Sequence, residues 1–360
     1  MLSLLKQEKF LLVALILCAI TLPFEHAILA AGQTASLITA LLLVGAIILV
    51  SQRVAHHAEL LAERVGEPYG TMILTLAAVL VEVVILGIMM SHTESPTLVR
   101  DTIYSAVMLD LNGILGISAL LGGLRHGEQA YNVDSGNSYI VMILTAMGVS
   151  MFVPEFIPDT HWQIYSVFTI IVMLLLYGMF LRLQTTRHSY FFSYSYPGKR
   201  ETEEDHGAHG SVKRSAALLV AGVVVIGLLS EVMAKTLDAG LEGTGVPPIV
   251  AALLVAAISA SAEILTAVKA ALGNRMQSVV NIALGASLST VILTIPVIEV
   301  LALVLDKPIQ MALSPMQTAM CLLTLIIASI NLNDGETNAI EGMTHFVLFL
   351  TFLMVSALGF

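Results

Sequence analysis

Long apolar runs separated by short polar breaks fill almost the whole chain. Runs near the ~20 residues needed to cross a hydrocarbon core as a helix recur from one end to the other. They predict about eleven transmembrane helices, at roughly 9–30, 34–53, 70–90, 101–122, 138–155, 161–182, 214–235, 247–270, 277–304, 315–332 and 342–360. The first is the least regular, because Pro23, Glu25 and His26 interrupt it. Strand-like alternation of apolar and polar residues is absent, which excludes a β-barrel. The fold class is therefore an all-α integral membrane protein.

Composition agrees. Of 360 residues, 57% are hydrophobic and only 12% charged, against roughly 25% charged in an ordinary soluble domain. The net charge of −10 comes partly from one acidic stretch, Glu201, Glu203, Glu204 and Asp205. That sign, with no basic patch to offset it, excludes nucleic acid as a partner; the lipid bilayer is the expected one. Cys18 and Cys321 both lie in apolar runs and read as buried free thiols.

Lysine and arginine positions orient the chain. With the N-terminus inside, the outer segments hold only Arg100, Lys235 and Lys307, and the rest of the sixteen cations lie inside. The expectation is a multi-pass protein of the bacterial inner (plasma) membrane, N-terminus cytoplasmic and C-terminus periplasmic. The polar stretch 184–213 reads as an acidic cytoplasmic linker. Setting aside residues 1–33 as an extra N-terminal helix leaves five helices in 34–183 and five in 214–360. An odd-numbered unit duplicated in tandem must reverse its orientation, so these are expected to be two inverted five-helix repeats.

The chemistry lies in carboxylates that interrupt apolar helices. A charge at the bilayer centre costs at least ~2.5–3.5 kcal/mol, so such a residue is a functional candidate by default. Glu82 sits midway in TLAAVLVEVVILGIMM, and Glu263 midway in VAAISASAEILTAVKAAL beside Ser259, Ser261 and Thr266. Each occupies the second helix of its half. Asp110 follows Glu82 by 28 residues and Thr290 follows Glu263 by 27. A buried carboxyl holds a proton near neutral pH, and an arriving cation displaces it. Glu82 and Glu263 are thus the expected metal-, ion- and proton-binding pair. Supporting oxygens are expected from Asp110, Asn112, Ser259, Ser261, Asn281, Ser287 and Thr290, a ligand set suited to hard cations. Small and hydroxyl residues also serve close helix packing, which is the competing reading for each. Glu299, Glu231 and Asp101 fall near span ends and are expected to be solvated. His206 and His209, in the linker, read as exposed side chains.

The segments HHAELLAERVGEPYG, VLVEVVIL, SPTLVRDTIYS and LGGLRHGEQ resemble ChaA-type bacterial antiporters, in the calcium/proton exchanger (CAX) branch of the calcium/cation antiporter superfamily. SAEILTAVKAALGNRMQSVVNIALGASLSTVILTIP resembles the second repeat of that branch. The resemblance runs from about residue 50 to 357. It implies one extra helix plus two inverted repeats, and it matches Glu82 and Glu263 to the cation-binding glutamates. Calcium exchangers typically carry a Gly-Asn-Ala-Thr-Glu-like stretch; here Val79, Leu80 and Val81 precede Glu82, and Ser259, Ala260, Ser261 and Ala262 precede Glu263. The resemblance therefore leaves Ca2+, Na+ and K+ all open as the cation exchanged for H+.

Neither a nucleophile–base pair, an HExxH, a Walker-type glycine loop nor a TVGYG filter occurs. An enzyme is not expected and no cofactor is implied. The alternative to proton-coupled antiport is a passive cation channel, which calls for rings of polar residues rather than two isolated glutamates.

Overall fold

The computed structural model describes residues 8–66, 69–92, 95–185, 190, 194 and 211–360. The acidic stretch 201–205 and the linker histidines His206 and His209 lie outside the described residues. The described chain is helical apart from one short two-stranded ladder. It separates into two compact units, each assembled from two stretches of sequence: Met1–Leu98 with Ala208–Ala262, and Val99–Gly207 with Glu263–Phe360.

The first unit contains α1 (Lys9–Ala30), α2 (Gln33–Val65), α3 (Tyr69–His92), α8 (Val212–Leu241) and α9 (Pro248–Ser259). The α2 helix runs on past the sequence-based boundary at 53. Val54, Ala58 and Ala62 keep one face apolar at four-residue spacing, and all three are buried. Its 33 residues make it ~50 Å long, more than the ~30 Å hydrocarbon core requires. The helices α2 and α8 pack along one another in this unit. A Cβ added at Gly222 would come within 2.5 Å of Val54, so the glycine is what admits that approach. Pro23 does not break α1, which continues to Ala30.

The second unit contains α4 (Leu98–Met108), α5 (Leu115–His126), α6 (Val133–Met147), α7 (Trp162–Thr185), α10 (Ser261–Leu272), α11 (Met276–Ser289), α12 (Ile295–Val304), α13 (Pro315–Asn331) and α14 (Ala339–Ala357). Among the described residues, three π-helical segments interrupt it, at Leu109–Ile114, Gly148–Phe152 and Thr290–Thr294. Gly116 and Gly342 let α5 and α14 pack backbone against backbone. A two-residue strand β1 (Gln129–Ala130) pairs antiparallel with β2 (Glu336–Thr337). Asn132 and Asn338 then cap the helices that follow, accepting from Asp134 N–H and from the Ile340 and Glu341 N–H groups.

Among the described residues, nine helices are long and apolar enough to cross a membrane. The pair α9 and α10 passes together as a span bent by 58°, and α13 is a shorter apolar helix. Side chains such as Ile16, Phe24, Leu42, Ile164 and Leu175 are exposed on these helices, as contact with lipid chains allows. Both cysteines are buried free thiols.

Candidate functional site

The two glutamates stand in differently built helices. Glu82 lies in the middle of α3, which is continuous from Tyr69 to His92, and is only 4% exposed. Nothing in VLVEVV competes with the helical backbone, so the carboxylate is carried on an unbroken apolar rod. Glu263 instead sits in the first turn of α10, just after the bend at Ala260. The Ser259 hydroxyl donates back to the Ala256 carbonyl at 2.9 Å, a local bond that competes with helix continuation. The positive dipole end of α10 therefore falls beside a carboxylate. Glu82, Ser259 and Ser261 belong to the first unit, and Glu263 to the second.

Within the second unit, two of the expected ligands meet directly. Asp110 lies in the π segment Leu109–Ile114, is 2% exposed, and accepts a hydrogen bond from Ser287 Oγ at 3.1 Å. Thr290 opens another π segment, Thr290–Thr294, and is also buried. Single-turn π insertions of this kind are frequent at functional sites. Asn112 is engaged elsewhere: its Nδ2 donates to Thr324 Oγ1 at 2.8 Å, and its Oδ1 lies 3.0 Å from His345 Nδ1. Since the amide oxygen can only accept, His345 carries its proton on Nδ1 in this pair. Asn281 accepts from Gln277 Nε2 at 2.9 Å, and Gln277 Oε1 accepts from the Asn132 N–H at 2.7 Å. Asn281 thus joins a network reaching the β1 loop.

Two carboxylates expected to be solvated are buried. Asp101, 5% exposed, accepts from Arg100 Nε at 2.9 Å and from Gln317 Nε2 at 2.9 Å. Glu299 is 2% exposed and hydrogen-bonds Ser166. Distance from a predicted span end misled in both cases, because neighbouring helices extend alongside them. For Glu299 the informative signal was its apolar flank, IPVIEVLALV, the same signal that picks out Glu82. Glu231 is half-exposed and pairs with Lys235 at 3.2 Å, and Lys235 also meets Glu25 at 3.0 Å. At the start of α1, Glu8 receives Arg53 Nη2 at 2.6 Å and lies 3.3 Å from His57 Nε2. Burial pushes the Glu8 carboxyl up, but Arg53 and His57 outweigh it and hold it below the usual carboxylate range. Among the described residues, no three or more His, Cys, Asp or Glu side chains are grouped to hold a metal ion.

Comparison with known proteins identifies the family. The family described as sodium/calcium exchanger protein matches the chain over residues 35–186 and again over 214–358. The chain belongs to that family. Within it, the exchanger is of the ChaA type, in the CAX branch of the calcium/cation antiporter superfamily. It is 34% identical over 314 residues to the putative ionic transporter y4hA of Sinorhizobium fredii, covering 84% of each chain. It is 30% identical over 331 residues to the sodium-potassium/proton antiporter ChaA of Escherichia coli, covering 90% of each. Among solved structures it is similar to native YfkE, with a TM-score of 0.72 at 19% identity, covering 93% of this chain and 99% of that one. The H+/Ca2+ exchanger CAX follows at 0.62 and 15% identity, covering 96% and 88%. These two likenesses establish the fold.

Proposed function

We propose that this exchanger moves a metal cation, Ca2+ or Na+ and K+, against protons by competition at Glu82 and Glu263. The observation that carries this is Glu82 itself, a carboxylate 4% exposed at the middle of a continuous apolar helix. An ionised carboxylate there needs a proton or a cation to neutralise it. Whichever arrives displaces the other, and that exclusion is antiport. The broken α9–α10 span supports the same role for Glu263, because half-helix termini at mid-membrane are where many secondary transporters bind ions. Asp110, held by Ser287, supplies a further oxygen ligand. The names of ChaA and of the Ca(2+)/H(+) antiporter relatives agree with this reading.

The layout we propose is an extra helix in 1–33, inverted repeats in 34–183 and 214–360, and the linker 184–213 between them. The double match of the family, 35–186 and 214–358, supports those boundaries. Hydrogen bonds between helix ends support eleven crossings. Two ends that bond lie on one side of the bilayer, so the chain between them crosses an even number of times. Arg100 Nη1 donates to the Ala312 carbonyl at 3.1 Å, and His126 Nε2 lies 2.9 Å from the Leu272 carbonyl. Both intervals are even only when the bent α9–α10 pair counts as a crossing. With that pair counted, the Tyr131 N–H bond to Gly335 O at 2.8 Å requires α13 to cross as well. An odd total puts the two termini on opposite sides, the N-terminus inside by its cations.

The test is cation-driven proton movement in everted membrane vesicles loaded with a pH-sensitive dye. Calcium, sodium or potassium should discharge the gradient, and Glu82→Gln or Glu263→Gln should abolish the response. Cation flux without proton movement would establish the channel instead.

A further inference from the structure

Glu299 is a buried carboxyl that the proposed exchange does not use. It sits on α12, five residues before the helix ends at Val304, hence ~7 Å inside that end. Val297, Val300 and Val304 on the same helix are exposed, as on a lipid-facing surface. Glu299 itself is turned inward and 2% exposed. Ser166 on α7 hydrogen-bonds its carboxyl, while Oε2 is sealed from solvent with no hydrogen-bond partner among the described residues.

Among the described residues, the surroundings offer no paired counter-charge. The helix α12 packs against α7 and against the π segment Thr290–Thr294, which carries no ionisable side chain. On α7 the ionisable group beside Glu299 is Tyr165, whose hydroxyl is committed to the Val149 carbonyl at 2.6 Å. Tyr177 and Arg182 lie three or more turns further along α7, and Asp306 and Lys307 follow the end of α12. No Lys, Arg or His among the described residues forms an ion pair with Glu299. An ionised carboxylate here would keep one hydrogen bond and lose its hydration, which disfavours the charged form. The neutral acid keeps the Ser166 bond and needs no cation.

We infer that Glu299 is a proton-binding site separate from Glu82 and Glu263, loaded from the side of the bilayer at which α12 ends. Its proton is part of the α7–α12 contact. When the proton leaves, a bare charge stands between the two helices, and the contact loosens until water or a cation reaches the carboxylate. Exchange then depends on pH through a group outside the transport pair. That consequence rests on the antiport reading, whereas the protonation of Glu299 does not.

The direct measurement is infrared difference spectroscopy of the purified full-length protein with Glu82 and Glu263 both changed to Gln, titrated from about pH 5 to about pH 10. A carboxylic C=O band should fade with rising pH and be missing when Glu299→Gln is added. A spectrum unaltered by Glu299→Gln, or a Glu299 band that does not change over that range, overturns the proposal. Should the triple variant not fold, Glu299→Asp serves: its band should move in frequency, and an unmoved band is equally fatal. In vesicles with the transport glutamates intact, Glu299→Gln should flatten the pH profile of exchange severalfold. Activity scaled equally at every pH would assign Glu299 to packing alone. Because the infrared arm needs no transport, it stands even if Glu82 and Glu263 prove not to be the exchange site.

Discussion

In the inverted-repeat layout proposed above, Glu82 and Glu263 occupy corresponding helices, yet one helix is whole and the other is broken. The difference begins in the four residues before each carboxylate. Val79, Leu80 and Val81 give α3 no competing hydrogen-bonding side chain, and it runs 24 residues without interruption. Ser259 and Ser261 flank Ala260, and there the second helix bends by 58°. A carboxylate at the middle of a continuous helix has no helix end beside it. One in the first turn of a half-helix stands at the positive end of the helix dipole. The two halves thus hold the same acid at different electrostatic cost, and the first half is the more dependent on a bound proton or cation.

Removing either charge should have the largest effect. At an effective dielectric near 20, a unit charge pair ~4 Å apart is worth ~4 kcal/mol, so Glu82→Gln or Glu263→Gln should weaken cation binding about 1,000-fold. Cation titrations in vesicles check this, and equal loss in both would mean the halves share one ion. Next comes Asp110→Asn, which keeps the shape and removes the charge. A loss of about 10- to 100-fold in cation affinity is expected, and Ser287→Ala should reproduce about a tenfold part of it. Unchanged affinity in Asp110→Asn would remove that residue from the site. Mending the break with Ser259→Leu and Ser261→Leu should make the second half resemble the first. Helix-end charge effects of ~0.3–1 kcal/mol put the loss of exchange at up to about fivefold. A larger loss would mean the serines themselves bind the cation.

The smallest effect concerns a carboxylate that has its own cation. Arg53 and His57 hold the Glu8 acid below its ordinary range, so its stabilising contribution is complete above the unfolded value and disappears as pH falls through the lowered one. Glu8→Gln should lower the melting temperature of the detergent-solubilised protein by about 2 °C near neutral pH. Below the ordinary carboxylate range the difference should vanish. No such dependence is expected from Glu82, which has no part in that ion pair.

The apolar runs made the helices legible, and the isolation of Glu82 and Glu263 within them made those residues candidates. Other features depend on tertiary partners and leave no local trace. The continuation of α2 to Val65 rests on Val54, Ala58 and Ala62, whose pattern is masked by His56, His57 and Glu59 between them. Nothing in LDLNGI as a string signals the π segment at Asp110. Asn112 looks like a ligand in sequence, but Thr324 and His345, more than two hundred residues away, take up its amide. Asp101 is buried because Gln317 reaches it from α13. The repeated Gly-Glu and capping Asn around the β1–β2 ladder were visible in the chain, at Gly127–Asn132 and Gly335–Asn338, but only the pairing makes them a feature.

The interleaving of the two units also sets an order of events during synthesis. Each unit draws its second piece from beyond the linker, so neither can close while only the first half has left the ribosome. Asn112 must enter the bilayer before Thr324 and His345 exist, and Asp110 before Ser287. Until the second half follows, those polar groups lack the partners they have in the folded protein. The last helix, α14, brings the final partner, and a ribosome that stalls short of it leaves the second unit unfinished however well the earlier spans have inserted.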